Sequence, residues 1–272
     1  NSHPSHRNGG LKAPRPTGSD MTLVVVFAEP PREGLVLSRL ADTSPLSDAE
    51  AADCYAAMLA DAVFAADNSG GDVLVNYRSD DELPDEFVDA DESAEEAVRA
   101  VVDRAAEDPS DVRFEVQVGS TRGGRVGNTV THLLRNEGEK SVLTLDGNAP
   151  LVGRKDIDSA AMKLRTSDVV VGPATDGRVW TAAFCEAIDF DGAFASPTVE
   201  TLVDRGTDAD LDVDFLPSYR TVETGSDLAD VVSLVRARAK AGRIVPKFTT
   251  EFVRDHGLHV VDGDDGPELV RD

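Results

Sequence analysis

A three-layer α/β/α sandwich around a mostly parallel sheet is the fold class that this sequence predicts, and three observations carry it. The run Leu23–Ala28 is apolar without a break and β-branched at its centre, as in a strand covered on both faces; a half-exposed strand would alternate. Short apolar runs recur along the chain with helical stretches and turn residues between them, the alternation of βα units. The length beyond residue 20 suits one domain with a full-sized core, 21–272, in which 243–272 reads as a peripheral extension.

In order, residues 1–20 hold Pro, Gly, Ser, His and Arg but almost nothing to bury, and a disordered tail or expression remnant is expected there. They lack the apolar core of a signal peptide, and Met21 reads as the natural start. After the strand 23–28 comes a Pro/Gly loop running to Arg39, in the place beyond a strand end where open α/β sheets bind ligands. Ser47-Asp-Ala-Glu50 is a capping-box start for a helix over 48–66 with Cys54, Met58, Ala62 and Val63 on one face. Val73–Tyr77 reads as a strand, 79–91 as a polar loop, and Ser93-Ala-Glu-Glu96 as a second capping box opening a helix to 106. A strand over 112–118 leads through a glycine-bearing loop, 119–124, to a helix over 125–135. Further strands are expected at 141–145, 168–171, 179–185 and 211–216, and helices at 157–164, 198–205 and 227–241. The tail adds a helix over 247–255 and an edge strand over 258–261.

Composition narrows the function classes. The chain carries 51 acidic against 27 basic residues, a net charge of -24, spread along its whole length. A disordered acidic tail would concentrate its charge and lack periodic apolar segments, so a folded domain with an acidic skin is expected. Such a composition resembles that of proteins from salt-accumulating halophilic archaea. It speaks against nucleic-acid or anionic-membrane partners, which need basic patches. Cys54 and Cys185 are isolated, giving neither a disulfide framework nor a zinc site, which fits a reducing cytoplasm. No apolar run is long enough to span a bilayer.

Several loops at predicted strand ends carry motif-like residues. The first reads Phe27-Ala28-Glu29, Pro31, Gly34, Val36-Leu37-Ser38-Arg39-Leu40; the second holds Gln117, Gly119, Gly124 and Arg125. The third is Asp146-Gly147-Asn148-Ala149-Pro150-Leu151, the fourth Gly172-Pro173-Ala174-Thr175-Asp176-Gly177-Arg178-Val179-Trp180. The fifth is Thr221-Val222-Glu223-Thr224 with Asp227-Leu228. In this order they resemble the motifs of a small prokaryotic family of glycosyltransferase A-like (GT-A) proteins, nucleotide-diphospho-sugar transferase-like, whose relatives include the 2-phospholactate guanylyltransferases of deazaflavin cofactor synthesis. The resemblance covers about 23–234. It departs from the family where two lysines are replaced by Glu29 and Leu37, where Asn148 fills the metal-holding aspartate position, and where Arg178 and Val179 replace a Gly-Tyr pair.

The resemblance implies a GT-A fold and a transferase acting on a nucleotide or nucleotide sugar with Mg²⁺ or Mn²⁺. It places the nucleotide at Phe27, Ala28, Gly34, Arg39, Gln117 and Gly119, and the metal at Asp146, Asn148 and Glu223. Asp176 would position the acceptor or act as base, and Arg178 would assist the departing phosphate. With Glu29 in the first loop an anion should bind weakly unless Arg32 takes over the charge. A non-catalytic nucleotide-binding or protein-interaction module on the same fold is the alternative. Guanylyl transfer to a phosphorylated small acid is a third reading. An oligomer is compatible with the sequence. His132 reads as a core or helix-surface residue of the helix after the second loop and not as a base, His256 and His259 in the tail have no partner spacing for a metal site, and Trp180, the single tryptophan, reads as core.

Overall fold

The structure, a computed structural model, describes residues 21–263 and 266–272, and the expected tail 1–20 lies outside them. Seven strands form the central sheet: β1 (Leu23–Ala28), β2 (Val73–Tyr77), β3 (Arg113–Val116), β4 (Val142–Asp146), β5 (Val169–Pro173), β6 (Val179–Phe184) and β7 (Val213–Phe215), in the order β3-β2-β1-β4-β6-β5-β7. Every pairing is parallel except those of β6, which is antiparallel to both β4 and β5. The sheet is thus mostly parallel, as expected, with one strand reversed.

β1 explains its own composition. Its alternate residues enter different cores: Val24, Val26 and Ala28 pack into one cluster, while Leu23, Val25 and Phe27 pack into the other. All six residues are buried. A strand with helices on both faces has no side that tolerates a polar residue, hence the unbroken apolar run.

The first face carries α2 (Asp48–Asp67), α3 (Ala94–Ala105), α5 (Arg154–Lys163) and α7 (Gly225–Lys240). Both predicted capping boxes form: Ser47 accepts from Glu50 N while Glu50 accepts from Ser47 N, and Ser93 and Glu96 do the same. α2 is buried nearly all round, so its apolar residues show no single stripe, as in a helix enclosed by protein. The opposite face carries α4 (Arg122–His132) and α6 (Thr198–Asp208).

Several boundaries differ from expectation for local reasons. A short helix, α1 (Ser38–Asp42), occupies the expected loop. α4 starts at Arg122 instead of 125, because the Thr121 hydroxyl accepts the Gly124 N–H (3.0 Å) and caps it earlier. The expected edge strand 258–261 does not join the main sheet. As part of β8 (Leu258–Gly263) it pairs antiparallel with β9 (Gly266–Arg271) in a separate two-stranded sheet. Hairpin pairing between neighbours in sequence wins over docking at a distant edge. From residues 243–272, Phe248, Phe252 and Val253 of α8 (Lys247–Asp255), with Leu258 and Leu269, enter the first-face core. Among the described residues no helix is long and apolar enough to cross a membrane.

Register places the loops. Phe27 lies opposite Asp146, Tyr77 opposite Ala28, and Val116 opposite Tyr77. The loops after β1, β3 and β4 therefore leave the same edge of the sheet. Because β6 runs backwards, its first residues arrive at that edge too, and Arg178 comes with them.

Candidate functional site

The carboxyl ends of β1 and β4 open into a cleft of two adjoining chambers. One, of about 220 Å³, is lined by Phe27, Ala28, Glu29, Tyr55, Gln117 and Gly147. The other, of about 190 Å³, is lined by Arg178, Val179, Phe194, Thr198 and Thr221. Arg122, Asp146, Asn148 and Glu223 line both. The packing of α2 favours glycine at 147, since a Cβ there would stand 2.9 Å from Leu59 Cδ1 and 3.2 Å from the Tyr55 hydroxyl.

Arginines engage each carboxylate of the cleft. Arg122 pairs with Asp146, and its guanidinium lies 5.5 Å from the centroid of the Phe194 ring. Arg178 is held by Asp227 (3.0 Å), Glu223 (3.2 Å) and the Thr175 hydroxyl (3.0 Å). Burial works against the Arg178 charge, but Asp227 and Glu223 outweigh it and raise its pKa above the ordinary value. Glu29 is met by Arg78 (3.4 Å) and Arg125 (3.8 Å). The Tyr55 hydroxyl accepts the Glu29 N–H at 3.0 Å, and burial pushes its own pKa up. Among the described residues, two buried oxygens of the cleft find no partner: Asn148 Oδ1 and Thr221 Oγ1. Asn148 is oriented by its amide, which donates to Val222 O (3.1 Å). Orphaned buried acceptors are uncommon and point to a missing donor or cation.

The predicted site residues divide. Phe27, Ala28, Gln117, Asp146, Asn148, Glu223 and Arg178 come together around the cleft. Gln117 spends its amide hydrogens on Asn76 O (2.8 Å) and Ala28 O (3.2 Å), tying β2 to the end of β1. Gly34, Arg39, Gly119 and Asp176 do not line it. Gly34 (φ 74°) turns the first loop beside Phe87, and Gly119 (φ 136°) lets the chain pass against the backbone of Arg125. Arg39 is largely exposed and approaches Glu223 at 3.4 Å. Asp176 sits in the left-handed region (φ 59°) with its side chain 84% exposed, touching Arg178 at 3.5 Å. Arg32 does not take over the lost lysine charge. Its guanidinium is bound to Asp80 (2.8 Å) and to the Phe87 and Glu92 carbonyls (2.6 and 2.7 Å). Arg78 and Arg125 answer Glu29 instead.

Sequence reasoning missed Arg122 and Tyr55, and it quoted Thr221 and Asp227 in the fifth motif without giving either a role. For Arg122 a signal existed: a threonine three residues before Gly124 is a cap, which puts Arg122 in the first helical turn. Thr224-Gly-Ser-Asp227 is likewise a capping box, and Asp227 closes it while holding Arg178. Tyr55 lies mid-helix and carries no local signal.

The donor chemistry suits a hard divalent cation in part. Asp146, Glu223 and the orphaned Asn148 Oδ1 are oxygen donors on one cleft, the type that Mg²⁺ and Mn²⁺ prefer. Yet among the described residues no group of three His, Cys, Asp or Glu side chains is placed to hold a metal. A metal here would rest on two carboxylates and an amide oxygen.

Comparison with known proteins agrees with this architecture. Residues 73–193 match the model of a family described as "Uncharacterized protein conserved in bacteria (DUF2064)". No curated protein sequence matches the chain. Among solved structures, a protein from Desulfovibrio desulfuricans G20, provisionally described as a nucleotide-diphospho-sugar transferase, is similar at TM-score 0.70 with 22% identity, covering 86% of this chain and 94% of that one. A 4-diphosphocytidyl-2C-methyl-D-erythritol synthase from Anaerococcus prevotii DSM 20548 is more distant, at TM-score 0.46 and 12% identity over 82% of this chain and 97% of that one. The fold of this chain is that of the GT-A-like, nucleotide-diphospho-sugar transferase type.

Proposed function

We propose, for a chain with a nucleotide-diphospho-sugar transferase fold, that the cleft binds a nucleotide or nucleotide sugar and supports transfer of its nucleotidyl or glycosyl group. The observation that carries this reading is the meeting of Arg122 and Arg178 with two orphaned oxygens, Asn148 Oδ1 and Thr221 Oγ1, at the carboxyl ends of β1 and β4. Guanidinium groups recognise phosphate with paired N–H donors. Asn148 Oδ1 and the Thr221 hydroxyl offer the acceptors that a sugar hydroxyl or a cation would satisfy.

Charge balance suggests how the site loads. With Arg122 on Asp146 and Arg178 on Glu223, the cations and carboxylates of the cleft are paired with each other. A diphosphate alone would compete with Asp146 for Arg122, and a divalent cation alone would compete with Arg122 for Asp146. With both present, each charge would stay compensated: Arg122 would turn to phosphate, and Asp146, Asn148 and Glu223 would hold the metal. Mg²⁺ or Mn²⁺ bound there would supply Lewis-acid stabilisation of the departing phosphate oxygens. Arg178, anchored by Asp227, would hold its positive charge in a fixed place as negative charge builds on that group.

The test is calorimetric titration of GTP, CTP, a UDP-sugar and a GDP-sugar in molar KCl, with and without Mn²⁺. One donor class should bind, and its affinity should rise with Mn²⁺, because the two ligands are coupled through the Arg122–Asp146 pair. Asp146→Ala should remove the metal dependence. Absence of binding by every nucleotide in a folded sample would overturn the reading. One observation favours binding without turnover: Asp176, the sequence candidate for a base, faces solvent instead of the cleft. Saturable binding without consumption of donor, across a panel of acceptors, would establish that second reading.

A further inference from the structure

On the first face of the sheet, away from the nucleotide cleft and sharing no lining residue with it, lies a larger cavity of about 620 Å³. It opens between α2, the chain following β4, and the segment joining α7 to α8. Its floor is apolar: Phe64, Leu151, Val152, Ile244 and Val245. Two of these are uncovered, Phe64 at 44% and Ile244 at 95% exposure. Isolated exposed apolar residues are normal, but here they border a concave apolar surface of the size that takes a small organic ligand.

The rim is of the opposite character to the rest of the protein. Lys155, Arg238, Arg243 and Lys247 line it. Among the described residues none of the four has a carboxylate within ion-pair distance, although acidic residues outnumber basic ones 51 to 27 along the chain. The two carboxylates of the wall are committed elsewhere. Asp61 accepts the N–H groups of Phe248 and Thr249 (3.0 and 2.7 Å). Asp156 accepts the Tyr219 hydroxyl (2.8 Å) and the Gly153 N–H (2.9 Å). Arg154, which also lines the cavity, is paired with Asp158 (3.1 Å). In a molecule of net charge -24, cations left without carboxylates around an apolar floor form a field that selects an anion with an apolar body.

We propose that this cavity is a second binding site, for a small amphipathic anion: an aliphatic chain laid along Leu151, Val152, Ile244 and Val245, with a carboxylate or phosphate head at the Lys155, Arg238, Arg243 and Lys247 rim. The proposal does not depend on the nucleotide reading, because the two sites share no residue.

The experiment is calorimetric titration of the full chain with decanoate and with decyl phosphate below their micellar concentrations. Decyltrimethylammonium and inorganic phosphate serve as controls. Saturable binding of either anion, near one per chain, is expected, and comparison of the two names the head group. Ile244→Asp and the double variant Arg243→Glu, Lys247→Glu alter exposed side chains, so melting temperatures should match the parent. Each should weaken binding about tenfold or more, the effect of one charge-assisted contact or a comparable apolar one. Equal binding of the alkylammonium cation, equal binding of phosphate alone, unchanged affinity in both variants, or no saturable binding would each overturn the proposal.

Discussion

Asp227→Ala is the perturbation in which local structure, burial and the site are most tightly joined. Asp227 Oδ2 accepts the Glu223 and Thr224 N–H groups (3.1 and 3.0 Å) and the Thr224 hydroxyl (2.9 Å), closing the capping box of α7. Its Oδ1 receives Arg178 Nη2 at 3.0 Å, and the side chain is 9% exposed. Losing the carboxylate half of the capping box costs about 1 kcal/mol, the Thr224 hydroxyl still capping the residue-227 N–H. Losing a largely buried hydrogen bond between charged groups costs about 1.5–3 kcal/mol more. Glu223, at 3.2 Å, still faces Arg178 and keeps the loss below that of a fully orphaned charge. The sum is about 3 kcal/mol, or a fall in melting temperature of roughly 6–12 °C for a domain of this size. Asp227→Asn keeps an acceptor without the charge and should fall about halfway. The pH dependence supplies a second readout. Burial raises the Asp227 pKa, but the Glu223 N–H, Arg178 and Thr224 outweigh it, so the folded value lies below the usual carboxylate range. A depressed folded pKa gives stability that is present above the unfolded pKa and lost as pH falls through the folded one. Urea denaturation between about pH 3 and 7 should therefore show the gap between parent and Asp227→Ala closing on the acid side of the ordinary carboxylate pKa, near 4. A loss under about 1 kcal/mol, with no change in the acid limb, would refute the reasoning that this carboxylate organises Arg178 and α7.

Other consequences follow from the same geometry. Gly147→Ala places a Cβ 2.9 Å from Leu59 Cδ1, and overpacking α2 should cost about 1–3 kcal/mol in urea unfolding. Tyr55→Phe removes the acceptor of the Glu29 N–H; a loss of about 1 kcal/mol and faster hydrogen exchange at Glu29 are expected, and an unchanged exchange rate would count against that bond. The net charge of -24 should make the fold less stable at low ionic strength, so the melting temperature should climb from ~0.1 M to ~2 M KCl as repulsion is screened. A flat or falling curve would show that self-repulsion is not a controlling term.

The elements legible in the sequence are those whose cause is local. β1 declares itself because a doubly covered strand must be apolar at every position. α2 and α3 declare their starts because Ser47/Glu50 and Ser93/Glu96 close their hydrogen bonds within four residues. Asp146, Asn148, Glu223 and Arg178 came into view through the resemblance that the five loop motifs carry in their order along the chain, at strand ends where a sheet presents side chains.

What tertiary structure alone decided is which partner each charge takes. Arg122 and Asp146 are 24 residues apart, Arg178 and Asp227 are 49 apart, and Asn148 is anchored to Val222 across 74. No periodicity encodes such pairs; they arise because β1 and β4 lie side by side in register and β6 runs back between β4 and β5. The reversal also delivers Arg178 to the cleft while leaving Asp176, two residues earlier, in solvent. The terminal strand shows the same limit. Leu258–Gly263 has the composition of an edge strand, but its pairing went to the segment just beyond it, leaving the main sheet with β3 and β7 at its edges. A sequence states which residues must be buried or capped. Their partners depend on the packing of the whole chain.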